Sequence, residues 1–140
     1  MNSMALEKTT IINLLRTIVG DRYIITSSWR KQTYSKGWRY GEGEALAVVK
    51  PKALVDIWKI LQVCVKFDVI VIMQAANTGL TGGSTPFGDD YDRPILIINT
   101  MRINGIHIIN EGKQIVGLSG STLFELENKL KPYDREPHSV

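Results

Sequence analysis

An α/β fold built around a βαβ unit is what this sequence predicts, and three observations carry the prediction. An apolar run of strand character at 45–49 is followed by an apolar period of helical spacing over 54–65, and then by a second apolar run, Val69, Ile70, Val71, Ile72 and Met73. That second run is apolar at consecutive positions, the pattern of a parallel strand covered on both faces. Directly after it stand Ala75 Ala76 Asn77 Thr78 Gly79 Leu80 Thr81 Gly82 Gly83 Ser84 Thr85 Pro86, a small, hydroxylated, glycine-rich loop leaving the carboxyl end of that strand. Open α/β sheets place their ligands there.

The elements follow in chain order. Residues 5–19 place Leu6, Ile11, Leu14, Leu15 and Ile18 at helical spacing with Gly20 as a stop, which predicts an amphipathic first helix. Residues 26–44 are polar, aromatic and glycine-bearing without a clean period, so they read as an extended surface loop that its aromatic residues pin to the domain. A strand at 45–49 leads through Lys50 Pro51 Lys52 into a helix whose apolar stripe reads Leu54, Ile57, Trp58, Leu61 and Val65. Asp68 precedes the strand at 69–73, and a right-handed crossover is expected between the two strands. Beyond the loop, 87–94 is a turn-rich connection. Three short strands are predicted at 95–98, 105–109 and 114–118, with Asn110 Glu111 Gly112 Lys113 as a hairpin turn. Ser119 Gly120 Ser121 Thr122 supply a hydroxyl N-cap for a helix over 123–130, which Pro132 ends. No internal repeat or linker divides the chain.

Composition bounds the function classes. The 140 residues suit one domain, and 44% apolar with 22% charged residues is the balance of a soluble globular protein, neither disordered nor fibrous. A formal charge of +3 permits anionic partners without implying them. The single cysteine, Cys64, forms no internal disulfide and reads as a small buried hydrophobe. Residues 1–20 lack the features of a signal peptide, and no apolar run approaches the roughly 20 residues that cross a bilayer. The expected setting is cytoplasmic, with any membrane association peripheral. Arg135 Glu136 Pro137 His138 Ser139 Val140 carry no helix stop or polar tail, which points to a fragment of a longer protein.

The glycine loop is the best functional lead, because small residues let backbone N–H groups approach a phosphate closely. It matches neither the Gly-x-x-x-x-Gly-Lys-Ser/Thr loop nor Gly-x-Gly-x-x-Gly, and it holds no Lys or Arg. A bound pyrophosphate would rest on backbone N–H groups and on the hydroxyls of Thr78, Thr81 and Ser84. That suits a stably held cofactor better than phosphoryl transfer, which requires charged groups and a metal. On glycine count alone, tight turns explain Gly79, Gly82 and Gly83 equally well. Position at the end of a parallel strand favours the cradle. Asp89, Asp90 and Asp92 lack the pattern of a calcium loop and read as a solvated turn. His107 and His138 have no partner at ligand spacing and read as structural, so no metal site is predicted. The basic and aromatic stretch from Trp29 to Tyr40 is too short, in a chain too weakly basic, to predict nucleic-acid binding. No Ser/His/Asp or Cys/His arrangement can be assembled, and no catalytic residue is assigned.

Residues 73–86 followed by Asp90 Tyr91 Asp92 Arg93 resemble the respiratory, quinone-dependent D-lactate dehydrogenases of bacteria. So do Tyr34 Ser35 Lys36 Gly37, Ala45 Leu46 Ala47 Val48 Val49, and the terminal Arg135 Glu136 Pro137 His138 Ser139 Val140. Those enzymes share the FAD-binding domain of vanillyl-alcohol oxidase and p-cresol methylhydroxylase. The resemblance implies that residues 1–140 are the amino-terminal, incomplete part of such a domain, with the substrate and membrane-binding domains outside it. It also implies that the loop wraps the FAD pyrophosphate through Ala75, Ala76, Asn77, Thr78, Gly79, Gly83 and Ser84. Gly82 is left out, since some relatives accept a charged residue there. A Gly/Ser-rich flavin segment is expected just after Val140. The implied chemistry is oxidation of D-lactate to pyruvate, with hydride passing to the flavin and electrons to membrane quinone. The implied location is peripheral, at the cytoplasmic face of the inner membrane. The alternative from a different class is a non-catalytic α/β module that binds a phosphate-bearing ligand or a partner chain through the same loop.

Overall fold

A computed structural model describes residues 3–137. The most apolar strand sequence, Ile-Leu-Ile-Ile-Asn, occupies the centre of the sheet as β4 (Ile95–Asn99), with every residue buried. β2 (Ala47–Val49) and β3 (Ile70–Gln74) flank it in parallel, and β1 (Ile24–Ile25) closes one edge antiparallel to β2. Val48 and Ile72 both stand opposite Ile97, so one register aligns the carboxyl ends of all three parallel strands. A separate hairpin pairs β5 (Ile106–Ile109) with β6 (Gln114–Gly117) through a turn at Asn110 and Glu111, both at positive φ.

The crossover from β2 to β3 through α3 (Leu54–Lys66) is the expected unit, but β4 inserts between its two strands. This corrects the expectation that the strand at 69–73 is covered on both faces. In this chain β3 is an edge strand, half-buried over Ile70, Val71 and Ile72 and exposed at Met73. Two consecutive apolar runs specify two parallel strands, and only the later entry of β4 decides which becomes central.

Helices α1 (Ser3–Val19) and α3 pack on one face of the sheet, where Ile11, Leu15, Ile60 and Cys64 meet Ala47, Val49, Leu96 and Ile98. Burying each of the larger side chains contributes on the order of 1.5–3 kcal/mol. On the other face Val48, Ile95 and Ile97 form a smaller cluster with Ile25, roofed by Tyr34.

The stripe read from the sequence of α3 is the wrong face. Ile57 is half-buried against the core, but Leu54, Trp58, Leu61 and Val65 are exposed, and the buried positions are Ile60 and Cys64. The apolar arc of the helix, opposite Asp56, Lys59, Gln62 and Lys66, is wider than the part the core covers, so its period does not fix which edge of the arc is buried; contact with α1 and the sheet does.

A second correction falls at 26–44, where α2 (Ser28–Ser35) replaces the expected loop. Its inward face is polar: Lys31 and Ser35 are buried, and the Lys31 ammonium donates to the Ala45 carbonyl while pairing with Glu44 at 3.5 Å. An inward face made of a snorkelling lysine, a tyrosine and a serine leaves no hydrophobic period to detect. Of the aromatic residues only Tyr34 pins this region to the domain; Trp29, Trp38 and Tyr40 are exposed.

At the far end, α4 (Leu123–Leu130) begins at the expected cap. The Thr122 hydroxyl accepts from the Glu125 N–H at 3.2 Å, and the Glu125 carboxylate accepts from the Thr122 N–H at 2.8 Å. Pro132 lies in the 3-10 turn Lys131–Tyr133 that ends the helix. His107 is exposed on β5, and Asp89, Asp90 and Asp92 lie on an exposed turn. His138, with Ser139 and Val140 of the terminal resemblance, lies outside the described residues. No helix among the described residues is long and apolar enough to cross a membrane.

Candidate functional site

The carboxyl ends of β2, β4 and β3 open onto one edge of the sheet, and the glycine loop begins there. Gln74, the last residue of β3, is buried, and its backbone carbonyl accepts from the Thr100 N–H at 2.8 Å. One residue later the chain turns outward: Ala75, Ala76, Thr78 and Gly79 are exposed, Asn77 half-buried. Asn77 takes a left-handed backbone (φ 57), which Asn tolerates better than most residues. Its amide donates to the Lys36 carbonyl at 2.8 Å, tying the loop to the segment after α2. At the other end of the loop, the Ser84 hydroxyl donates to Asn77 Oδ1 at 2.8 Å.

This geometry brings the sequence-predicted residues together. Ala75, Ala76, Asn77, Thr78 and Gly79 descend from β3, and Gly83 and Ser84 return beside Asn77. Among the described residues, none of the N–H groups of residues 76–83 donates to a protein acceptor. Gly79 and Gly83 have no positive φ to satisfy, and a Cβ added at Gly79 would meet nothing within 4 Å. At Gly83 its nearest neighbour would be the Thr81 hydroxyl, at 4.0 Å. Neither glycine is therefore required by the protein's own packing; each leaves open space beside exposed backbone. Gly82 differs, with φ 76 and the Tyr40 backbone 3.3 Å from an added Cβ, so it serves the turn itself. The Ser84 hydroxyl proton is committed to Asn77, so Ser84 retains its N–H and an acceptor oxygen for any ligand.

A cavity of about 510 Å³ opens beside the loop, lined by Ala76 and Asn77 on one side and by Lys36, Gly37 and Trp38 on the other. Lys36 supplies the nearby positive charge that the loop lacks, and it pairs with Glu42 at 3.6 Å. Sequence reasoning matched Lys36 and Gly37 without giving them a place in the site, and it passed over Gln74 and Asn99. Their signal is a carboxamide closing each of two otherwise apolar strands.

Other candidate chemistry stays apart from this edge. Cys64 is buried on the inner face of α3, and burial pushes its thiol up to about 11. Arg93 bridges Asp68 at 2.8 Å and Asp92 at 3.1 Å, and hydrogen bonds to both carboxylates raise its already high pKa. Among the described residues no group of three metal-ligating side chains converges.

The fold defines the class. The structure superposes on p-cresol methylhydroxylase with a TM-score of 0.74 at 15% identity, covering 91% of this chain and 25% of that one. On alkyldihydroxyacetonephosphate synthase the TM-score is 0.76 at 15% identity, over 88% of this chain and 25% of the other. The chain thus has the α/β fold of the p-cresol methylhydroxylase type, as the resemblance implied. Its sequence is similar to quinone-dependent D-lactate dehydrogenases: 62% identical to that of Haemophilus influenzae over 93% of this chain and 23% of the relative. To that of Escherichia coli it is 47% identical over 100% of this chain and 25% of the relative. No family model matches the chain. It spans about a quarter of the length of the curated relatives it matches.

Proposed function

We propose that this chain is the amino-terminal part of the FAD-binding domain of a quinone-dependent D-lactate dehydrogenase, and that Ala75, Ala76, Asn77, Thr78, Gly79, Gly83 and Ser84 hold the FAD pyrophosphate. The observation that carries the reading is the run of unpartnered N–H groups at 76–83 beside two glycines that face open space. Such backbone receives an anion by hydrogen bonds from N–H groups, and a side chain at either glycine would occupy the space the anion needs. The sequence similarity supports the choice of D-lactate, and the fold shared with p-cresol methylhydroxylase supports the choice of flavin.

Bound there, FAD supplies the hydride acceptor for oxidation of D-lactate to pyruvate, with electrons leaving to membrane quinone. The residues of this chain bind and orient. Asn77 holds the loop against the Lys36 carbonyl, and the loop's N–H groups, without protein acceptors, would donate to the diphosphate. Lys36 lies beside the loop, and turning from its pair with Glu42 would bring its charge to the diphosphate. The substrate site and proton acceptor belong to the remainder of the enzyme, which sits peripherally at the cytoplasmic face of the inner membrane.

The test is the full-length protein. It should purify yellow, bleach when D-lactate is added, and recover its absorbance with a soluble quinone. A colourless protein that gains no flavin spectrum on incubation with FAD overturns the reading. Binding of nucleotides without flavin as tightly as FAD would instead support the non-catalytic module.

A further inference from the structure

We propose that the carboxamide of Gln74, oriented by Asn99, is the positioning residue that sets the glycine loop for its ligand; this rests on the reading of 75–84 as a pyrophosphate cradle. Both side chains are almost wholly removed from solvent, Gln74 at 2% exposure and Asn99 at 3%. A buried carboxamide is costly unless its donors and acceptor are satisfied, and here they are. Gln74 Nε2 donates to the Tyr34 carbonyl at 2.8 Å and to the Ser84 carbonyl at 2.9 Å. Gln74 Oε1 accepts from Asn99 Nδ2 at 3.1 Å, and the second Nδ2 hydrogen goes to the Ala75 carbonyl at 3.0 Å. Asn99 Oδ1 accepts from the Met101 N–H at 3.3 Å, which fixes the orientation of Asn99 and, through it, that of Gln74.

The destinations of these bonds give the pair its role. Ala75 is the first residue of the loop and Ser84 the last of the proposed cradle, and the amide pair holds the carbonyls of both. Tyr34 belongs to α2, whose end leads into the segment lining the cavity. In a trans peptide the N–H points opposite the preceding C=O. Pulling the Ala75 carbonyl inward to Asn99 therefore turns the Ala76 N–H outward, on the side where Ala76 lines the cavity. Apart from the long Thr85 N–H contact to Gly82 at 3.4 Å, no backbone bond within the loop maintains this arrangement. The groups facing Gln74 are two carbonyls and one carboxamide, none of which titrates.

The experiment compares Gln74→Glu and Gln74→Met with wild type in the full-length enzyme. It reads the rate of limited proteolysis within 75–84 without added FAD, relative to wild type at the same pH, and the rate at which bound FAD dissociates, followed by the rise in flavin fluorescence. Gln74→Met keeps the bulk and loses every side-chain bond, so loop cleavage and FAD dissociation should each quicken about tenfold over wild type at all pH values. Gln74→Glu should match that loss at pH 9, where a carboxylate faces two carbonyl oxygens. It should recover in part at pH 5.5, where the protonated acid donates one bond. Wild-type rates in both variants, an equal loss in Gln74→Glu at both pH values, or global unfolding of both variants would overturn the proposal. A wild-type protein that binds no FAD overturns the cofactor reading alone, because loop cleavage still decides the role of Gln74.

Discussion

Gly79 and Gly83 stand in ordinary backbone with open space where a side chain would project, so their cost of substitution falls on a ligand and not on the fold. Gly79→Val and Gly83→Val in the full-length protein should therefore fold with an unchanged circular dichroism spectrum and purify without flavin; full retention by both would restore the plain-turn explanation. Thr122 is the opposite case, because its bonds serve only α4. Thr122→Ala should lower stability by about 0.5–2 kcal/mol in a urea titration. Cys64 responds to pH through its burial. With an ordinary thiol value of 9.0 raised to about 11, the folded state favours the neutral thiol. Its contribution is full below pH 9.0 and declines as pH rises toward about 11. At pH 8 an alkylating reagent should modify it only slowly in the native protein and rapidly in denaturant, as mass spectrometry would show. The cap and the buried cysteine were legible in the sequence, because each depends on near neighbours or on simple burial. Gln74 and Asn99 were not, because a carboxamide at a strand end has meaning only once the other strand lies beside it.

At the scale of elements, α3 separates what a period shows from what packing chooses. Ile60→Ala, in the buried face, should cost about 2–5 kcal/mol by denaturant unfolding, whereas Trp58→Ser in the same 140-residue chain should stay within about 0.5 kcal/mol. The reverse order of cost would restore the face read from the sequence. Element existence was readable almost throughout, since the three parallel strands, the hairpin and the helices α1, α3 and α4 carry strong periodic or apolar signals; the two-residue edge strand β1 is too short to carry one. α2 escaped because its buried face is Lys31 and Ser35, held by a carbonyl and a carboxylate that lie beyond its own sequence.

For the whole molecule, the parallel strands share one carboxyl edge, and the loop, the buried carboxamides and Lys36 meet only there. The sequence by itself determined the parallel strands and the hairpin, the crossover, the character of the glycine loop and, through extended similarity, the likeness to quinone-dependent D-lactate dehydrogenases. These follow from local propensity, apolar runs and residues adjacent in the chain. Only the tertiary structure decided that β4 enters between β2 and β3, that α3 turns Ile60 inward and Trp58 outward, and that Asn99 reaches Gln74 across the strands. Each of these depends on contacts between residues distant in sequence. Apolar periodicity reports how much surface an element must bury, not which neighbour buries it.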